Sequence, residues 1–460
     1  MRLKFLSQSE ISWKHSHLVI TNEYYAKYEA ISSLLDEHPE LLAAAHEDLK
    51  TALQRKTRPG AGCQCQYTSE QVLRILISQV VEGLSLRGIV IRIDDSTYLR
   101  DFVRIYGAPM MDHTTLCKLK NAIRPETWER VNQRLAKAAA ENGWITGDRV
   151  RLDTTLTETN IHWPTDSSLL WDSYRVLSSL LKQVRDEKPD ILGGRRLQDR
   201  RVKRLATRVA RKSNRKRTSA KQLKPLYRRL IDHVEGICDL AQSVCLNLAA
   251  APHEVTPGLP VALQHFETLG RRVIDQARRR VVEGKQVPNE EKLFSIFEPH
   301  TELIIRGKAG KAIEFGHMIQ IQQVSEKFIT DYEVFEKRPV EHTLLDRALR
   351  SHRELFGSYP DAIAADKAYY ESMEAIRALE TKVNVVAIGK KGKRTVEETE
   401  RENDPLFGLA QRFRAGVEGS ISFLKRILGL SRCFNKGWEH FRATVGATIF
   451  AHNLLVLARC

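Results

Sequence analysis

Between Arg195 and Arg229 the chain carries sixteen Lys or Arg side chains against a single carboxylate, that of Asp199. A segment charged in this way cannot enter a core. Its self-repulsion is relieved by spreading along solvated helix or by meeting a polyanion. A solvated helical face ordinarily mixes both signs and this one does not, so phosphate contact is the stronger reading and nucleic acid the expected partner. The run holds nearly all of the formal excess of +16 that separates 73 Lys+Arg from 57 Asp+Glu. Within it Arg200, Arg201, Arg204, Arg208, Arg211, Lys212 and Arg215 are the expected DNA contacts.

The remaining text is that of an ordinary folded protein. At 460 residues, 42% of them hydrophobic, the chain has length for about three domains. The N-terminus lacks a signal-peptide core, and no stretch offers about 20 uninterrupted apolar residues for a membrane span. The best candidate, 443–460, is broken by His452, Asn453 and Arg459 and reads as a helix buried in protein. Seven Cys, thinly spread, suit a reducing cytosol rather than a disulfide framework. Cys63 and Cys65 form a lone C-x-C without further ligands at metal-site spacing and read as free thiols. A cytoplasmic, nucleoid-associated location is expected. The basic loop Gly389 to Arg394 could meet a phosphate backbone but lacks the pattern of a nucleotide-binding loop, so no nucleotide cofactor is expected.

Periodicity divides the chain. Residues 20–57 have helical spacing and end in the loop Arg58-Pro59-Gly60-Ala61-Gly62. Thr68 to Gln71 supply a capping signature for the helical stripe Val72 to Val81, and Leu84 to Ile93 and Thr114 to Ile123 read as further short helices, the latter capped by the Asp112 segment. These helices, separated by tight turns, could form a helix-turn-helix-like unit. Near Gly147 the period changes: Val150, Leu152, Thr154 and Leu156 alternate with Arg151, Asp153 and Thr155, placing Asp153 on the strand face opposite the packed residues. Helical text resumes from Leu169 to Val282. It is followed by a hairpin (315–323 and 328–335), a helix (341–356), a strand (361–366), a helix (369–380), a strand (383–388) and a long helix (404–428). The order is β, large helical insert, ββαβαβα.

Three acids in this order could converge. Asp153 lies mid-strand, Asp366 ends a strand, and Glu418 sits in the long helix. At about 100° per residue, Arg414, Glu418 and Lys425 fall within roughly 40° of one another, beside an apolar stripe that includes Val417 and Leu424. Strand centre, strand end and covering helix would give an all-oxygen site suited to Mg²⁺ or Mn²⁺, with Arg414 and Lys425 touching phosphates. Lys367, beside Asp366, is a further candidate contact. Of the neighbouring acids, Asp166 reads as a helix cap and Glu158 and Asp172 as solvated, while His317 reads as an ordinary polar strand residue.

The segments Arg151-Leu152-Asp153-Thr154-Thr155, Ala365-Asp366-Lys367-Ala368-Tyr369-Tyr370 and Arg414-Ala415-Gly416-Val417-Glu418 through Lys425 resemble those of bacterial insertion-sequence transposases of the DDE class, nearest the ISNCY-like group. Pro164-Thr165-Asp166-Ser167, Glu314-Phe315-Gly316-His317 and Ala451-His452-Asn453-Leu454-Leu455 add to the likeness, which covers most of the chain from Thr68 onward. The resemblance implies an α+β fold with an RNase H-like mixed-sheet core at 146–168 and 300–460. It further implies an N-terminal helical extension (1–67), a helical DNA-binding domain (68–145) and a basic helical insertion (169–299). It also implies that Asp153, Asp366 and Glu418 hold two divalent ions, and that a homodimer acts on double-stranded DNA, both the element's terminal inverted repeats and the target. Related enzymes often carry a Tyr three residues before the Arg; here that position is Gln411.

The chemistry accounts for the residue types. Two carboxylate-held ions about 3.5–4 Å apart serve both the attacking and the leaving oxygen of an in-line phosphodiester displacement. Water attacks first and releases a 3′-OH, which then attacks target DNA, with no covalent protein intermediate. The competing readings are a non-catalytic DNA-binding regulator descended from such an enzyme, and a nuclease without strand transfer.

Overall fold

The computed structural model describes residues 18–53, 67–214, 220–249, 255–256, 258–308 and 311–459. The loop at Arg58, the Cys63 and Cys65 thiols and Arg215 fall outside that set. There are two compact units, one of residues up to Glu158 together with those from His317 onward, the other from Thr159 to Gly316.

The first unit opens with α1 (Val19–Glu37), α2 (Pro39–Leu53), α3 (Ser69–Val81), α4 (Leu86–Asp95), α5 (Thr97–Phe102), α6 (His113–Ala122) and α7 (Pro125–Glu141). The stretch with helical spacing forms, over its described residues, two helices, because Pro39 cannot donate into a continuing helix but suits the first turn of a new one. The expected capping signature of α3 is a reciprocal pair: the Gln71 amide N–H donates to Thr68 Oγ1 (3.1 Å), and the Thr68 N–H donates to Gln71 Oε1 (2.8 Å). Asp112 caps α6 by accepting from the Thr114 N–H at 2.8 Å. These helices have no core of their own. Ile31, Leu73 and Trp128 belong to the same hydrophobic cluster as Ile319, Ile321, Phe450 and Leu454.

A buried ion cluster ties the helices together. Arg74, without exposed surface, donates to Glu70 at 3.0 Å and to Asp36 at 2.7 Å. Arg104 donates to Asp36 at 2.6 Å and also reaches Glu70. It does so from a left-handed backbone, φ 60°, in the turn after α5. Two guanidiniums thus share two carboxylates, one of them almost wholly buried.

Strand β1 (Arg149–Thr159) follows, and then the second unit: α8 (Asp166–Glu187), α9 (Asp199–Ser213), α10 (Ala220–Ala249) and α11 (Gly258–Ala277). Leu170, Leu177, Val202, Val234, Leu263 and Ile274 form its separate core. This unit, Thr159–Gly316, runs beyond residues 169–299 at both ends. The unit also contains β2 (Glu302–Lys308), which pairs antiparallel with the first part of β3 (Lys311–Val324). That strand pair has no counterpart in the sequence reading.

Back in the first unit, the rest of β3 pairs antiparallel with β4 (Ile329–Val334), the expected hairpin. Then come α12 (Leu345–Phe356), β5 (Ala362–Ala365), α13 (Met373–Glu380), β6 (Val385–Ile388), α14 (Val396–Asn403), α15 (Pro405–Arg426), β7 (Arg432–Cys433) and α16 (Trp438–Leu457). The seven-stranded mixed sheet runs β2-β3-β1-β5-β6, with β4 on β3 and β7 on β1. β1, β5 and β6 are parallel neighbours.

Helix α16 is buried on nearly every side, as its text requires. The polar residues that interrupt its apolar run hold β4 and its turn. Asn453 accepts from the Ile329 N–H (2.9 Å) and donates to the Ile329 carbonyl (2.8 Å), and His452 Nε2 lies 3.0 Å from the Lys327 carbonyl. Among the described residues no helix is long and apolar enough to cross a membrane.

Because Glu70 neutralises two buried guanidiniums, Glu70→Ala leaves positive charge uncompensated inside the protein and should cost about 3–5 kcal/mol in urea unfolding. Breaking the exposed Lys137–Glu141 pair (3.7 Å) should cost less than about 1 kcal/mol.

Candidate active site and nucleic-acid interface

The site is set by one register. β1 and β5 pair with Arg149 opposite Ala362, Val150 opposite Ile363 and Arg151 opposite Ala364. Continued by two residues, this places Asp153 level with Asp366, the first residue beyond β5. Asp366 turns there because its carboxylate accepts from the Lys367 N–H at 2.7 Å, capping a single 3₁₀ turn over Lys367–Tyr369. Asp366 and Lys367 are both exposed.

The face of β1 that carries Asp153 is covered rather than solvated. Arg151, two residues earlier on that face, is 4% exposed and lies under α15. Its guanidinium donates to Gln323 Oε1 (2.8 and 2.5 Å) and to the Phe413 carbonyl (2.7 Å), with its carbon 4.6 Å from the centre of the Phe413 ring. Gly416 permits this approach: a Cβ there would lie 2.3 Å from Arg151 Nη1. Gln323 continues the fastening through Ser420 Oγ at 2.9 Å. Sequence reasoning assigned Arg151, Gly416 and Gln323 no role. The available signal was an Arg two residues from Asp153 on one strand face and a Gly two residues from Glu418.

This docking brings α15 charges over Asp153. Arg414 Nη1 lies 3.5 Å from Asp153 Oδ2, and Arg414 Nη2 lies 3.8 Å from Glu418 Oε1. Arg414 therefore bridges two of the three expected acids. Burial pushes the Asp153 carboxyl up to about 6; the Thr154 N–H and Arg414 oppose that rise, while Asp366 and Glu418 add to it. Asp153 thus lies within the fields of both other acids. Glu418 is largely exposed, and Lys425, two turns on, is half-buried. Glu341 also stands close, accepting from Thr154 Oγ1 at 3.1 Å.

The donor set is all carboxylate oxygen, which suits a hard divalent cation. The ligand positions are not closed, however: among the described residues no three His, Cys, Asp or Glu side chains converge tightly enough to hold an ion together. The cation between Asp153 and Glu418 is the Arg414 guanidinium. Gln411, at the position where a Tyr was noted as missing, faces inward and donates to the Ala365 and Ala387 carbonyls (3.3 and 2.5 Å), clamping the ends of β5 and β6 beside Asp366.

Three neighbouring readings are corrected. Asp166 does not cap α8; Thr165 does, and Asp166 is a buried partner of Arg280 (3.0 Å) and Gln276 (3.2 Å). Asp172 is buried beside Arg175 (2.9 Å), and Glu158 pairs with Arg432 (2.7 Å), so neither is simply solvated. His317 is fully buried, its ring 4.7 Å from that of Trp438.

In the second unit, α9 sorts its residues sharply. Val202, Leu205, Ala206 and Val209 are buried, whereas Arg200, Arg201, Lys203, Arg204, Arg208 and Arg211 are exposed and Lys212 half-exposed. Asp199, the segment's one acid, is taken by Ser178 and Lys182. Among the described residues none of Arg200, Lys203, Arg204, Arg208, Arg211 and Lys212 has an ion-pair partner, and together they line one surface depression. The 389–394 loop differs: Lys390 is held by Glu398 (2.8 Å) and Arg394 by Glu402 (2.7 Å), leaving Lys391 and Lys393 as its charges without an ion-pair partner among the described residues. No protein-family model, curated protein or solved structure matches the chain.

Two outcomes follow. In metal-free buffer with chelator, the stability that Asp153 contributes as a neutral acid is complete below pH 3.8 and lost as pH rises through about 6. Asp153→Asn should therefore melt a few degrees above the wild type at pH 8, the gap closing toward pH 4. For α9, replacing Arg200, Arg204, Arg208 and Arg211 by Ala should weaken duplex DNA binding and flatten the slope of log affinity against log salt by about 3–4. An unchanged slope would remove the helix from the interface.

Proposed function

We propose that the protein is a divalent-cation-dependent DNA phosphoryl-transfer enzyme of the DDE transposase type, cutting element ends and joining the released 3′-OH to target DNA. The observation that carries the reading is the placement of Asp153, Asp366 and Glu418: neighbouring parallel strands and the helix docked over them, on one face, beneath a guanidinium. The chain order, with a central first strand, a hairpin on one side and two parallel strands on the other, supports an RNase H-like core.

Asp153, Asp366 and Glu418 would hold Mg²⁺ or Mn²⁺. When bound, the two ions would supply activation of the attacking oxygen and stabilisation of the leaving one. The chain's own part is positional and electrostatic. Arg151 and Gly416 fix α15, so that Glu418 and Arg414 face the strand acids. Arg414 is planar and forked, suited to a phosphate as well as to a carboxylate, so a DNA phosphate can take the guanidinium and open the acids to cations. Lys367 stands one residue from Asp366, where a strand passing the acids would meet it. The α9 stripe supplies further sequence-independent phosphate contacts. A homodimer on paired element ends and a nucleoid location belong to this reading.

A second reading, a DNA-binding regulator that no longer cuts, is favoured by two observations: Arg414 stands between Asp153 and Glu418, and among the described residues no three ligands converge. A nicking assay separates the two. On supercoiled DNA bearing the element ends, Mg²⁺ should promote nicking. Asp153→Ala, Asp366→Ala and Glu418→Ala should each reduce it by about 10³-fold or more with DNA affinity nearly unchanged. Retained nicking in all three variants, or none in the wild type with either Mg²⁺ or Mn²⁺, removes the proposal. A 3′-OH joining assay then distinguishes strand transfer from simple hydrolysis.

A further inference from the structure

Within the first unit a cleft of about 670 Å³ opens between the α3–α4 turn, α6 and the segment from Leu428 to Thr448. Its walls carry Arg87, Lys120, Arg432, His113 and His440, and no Asp or Glu is among its lining residues. Arg432 is already committed to Glu158 at 2.7 Å. Lys120 is different: among the described residues its ammonium reaches only the neutral Gln79 Oε1, at 3.4 Å. Burial pulls the pKa of that ammonium down. Arg87 lies at the same wall, with Nη2 3.4 Å from His113 Nε2. A sheltered cation without a carboxylate, in a cleft without acids, is satisfied by an anion from outside.

The rest of the lining restricts that anion. Leu76, Val80 and Leu428 make an apolar wall, and Phe434 presents its ring at the cleft, 73% exposed. An exposed aromatic beside cations offers a flat surface on which a base can stack. Asn121 adds an amide able to meet a base edge, while Asn435 and Thr444 are bonded to each other at 2.5 Å and shape that wall. A bare phosphate leaves most of this volume and the aromatic face unused. A fatty anion would cover the polar wall without hydrogen bonds.

We infer that this cleft is a nucleotide site, taking one phosphate toward Lys120 and Arg87 and one base against Phe434. The source is either a free mononucleotide or a single unit of a DNA strand, and both present the same chemistry. The site stands on its own lining and does not require the acid cluster to be catalytic.

The test is equilibrium binding to the full-length protein, by calorimetry in chelator, so that the result is independent of any cleavage. The probes are dAMP, inorganic phosphate and a five-residue oligodeoxyadenylate. Saturable dAMP binding, at least tenfold tighter than phosphate, is expected. Phe434→Ala should weaken it by about tenfold, as loss of one base–aromatic stack does, and Lys120→Gln by a similar factor. A strand source is marked by an oligonucleotide that binds more than tenfold tighter than dAMP and is weakened by Phe434→Ala. A mononucleotide source is marked by no gain with length. Phe434 is exposed, so Phe434→Ala should keep the wild-type melting temperature. Absence of dAMP and oligonucleotide binding, or binding to a normally folded Phe434→Ala protein that equals wild type, overturns the site.

Discussion

The candidate site depends on how Arg151 is buried. A guanidinium on a strand, under a helix, is tolerated only where its donors are all met, and here they reach Gln323 and the Phe413 carbonyl. The consequence is geometric. The carbonyl that accepts from Arg151 belongs to α15, so the hydrogen bond that satisfies the buried cation also fixes the height and rotation of that helix over β1. Gly416 removes the one side chain that would stand in the way. One residue before Gly416's neighbour Ala415, and two residues after Gly416, the helix carries Arg414 and Glu418. Their position over Asp153 is therefore inherited from a contact that involves none of the three acids.

The protein also separates two uses of positive charge. In the helices of the first unit, Arg74 and Arg104 are buried, and each is matched by Asp36 and Glu70. Such a cluster fixes geometry, because either carboxylate alone would leave one of the two positive charges uncompensated in a poor solvent for charge. On α9 the cations are exposed or half-exposed and, among the described residues, without carboxylate partners, while the helix is anchored by Val202, Leu205 and Val209 beneath them. The first arrangement gains little from an external anion. The second gains from every phosphate it meets, and its attraction is long-ranged and screened by salt.

Much of this was legible in the text because it rests on local rules. The alternation at Val150 to Leu156 marked β1, the capping signature of Thr68 and Gln71 opened α3, and the two alternating runs made the β3–β4 hairpin. What escaped was set by long-range or weak local signals. The eight residues of α14 carry no apolar stripe, so periodicity is silent there, and a capping box between Thr395 and Glu398 is the one local sign of a start. Strand β2 is recognised by its pairing with β3 rather than by its own pattern. Residue type and place in the element order single out Asp153, Asp366 and Glu418. The roles of Arg151, Gln323 and Gln411 are satisfied by partners 172, 172 and 46 residues away, respectively, and spacing along the chain does not encode such partners.

Arg414 is where these strands of argument meet. Asp153 is buried enough to resist ionisation, and Asp366 and Glu418 make its charge still more costly. A chain that must keep such carboxylates near one another needs a cation among them whenever no metal is bound. Arg414, held between Asp153 and Glu418 at 3.5 and 3.8 Å, meets that need with a side chain that is permanently charged and long enough to leave. The contact is loose for a charge-assisted hydrogen bond, whose ordinary length is about 2.7–2.9 Å, so little is lost when a phosphate competes for the same fork. On the reading proposed above, neutralising the acids at rest and receiving a phosphate at work would be two states of that one side chain.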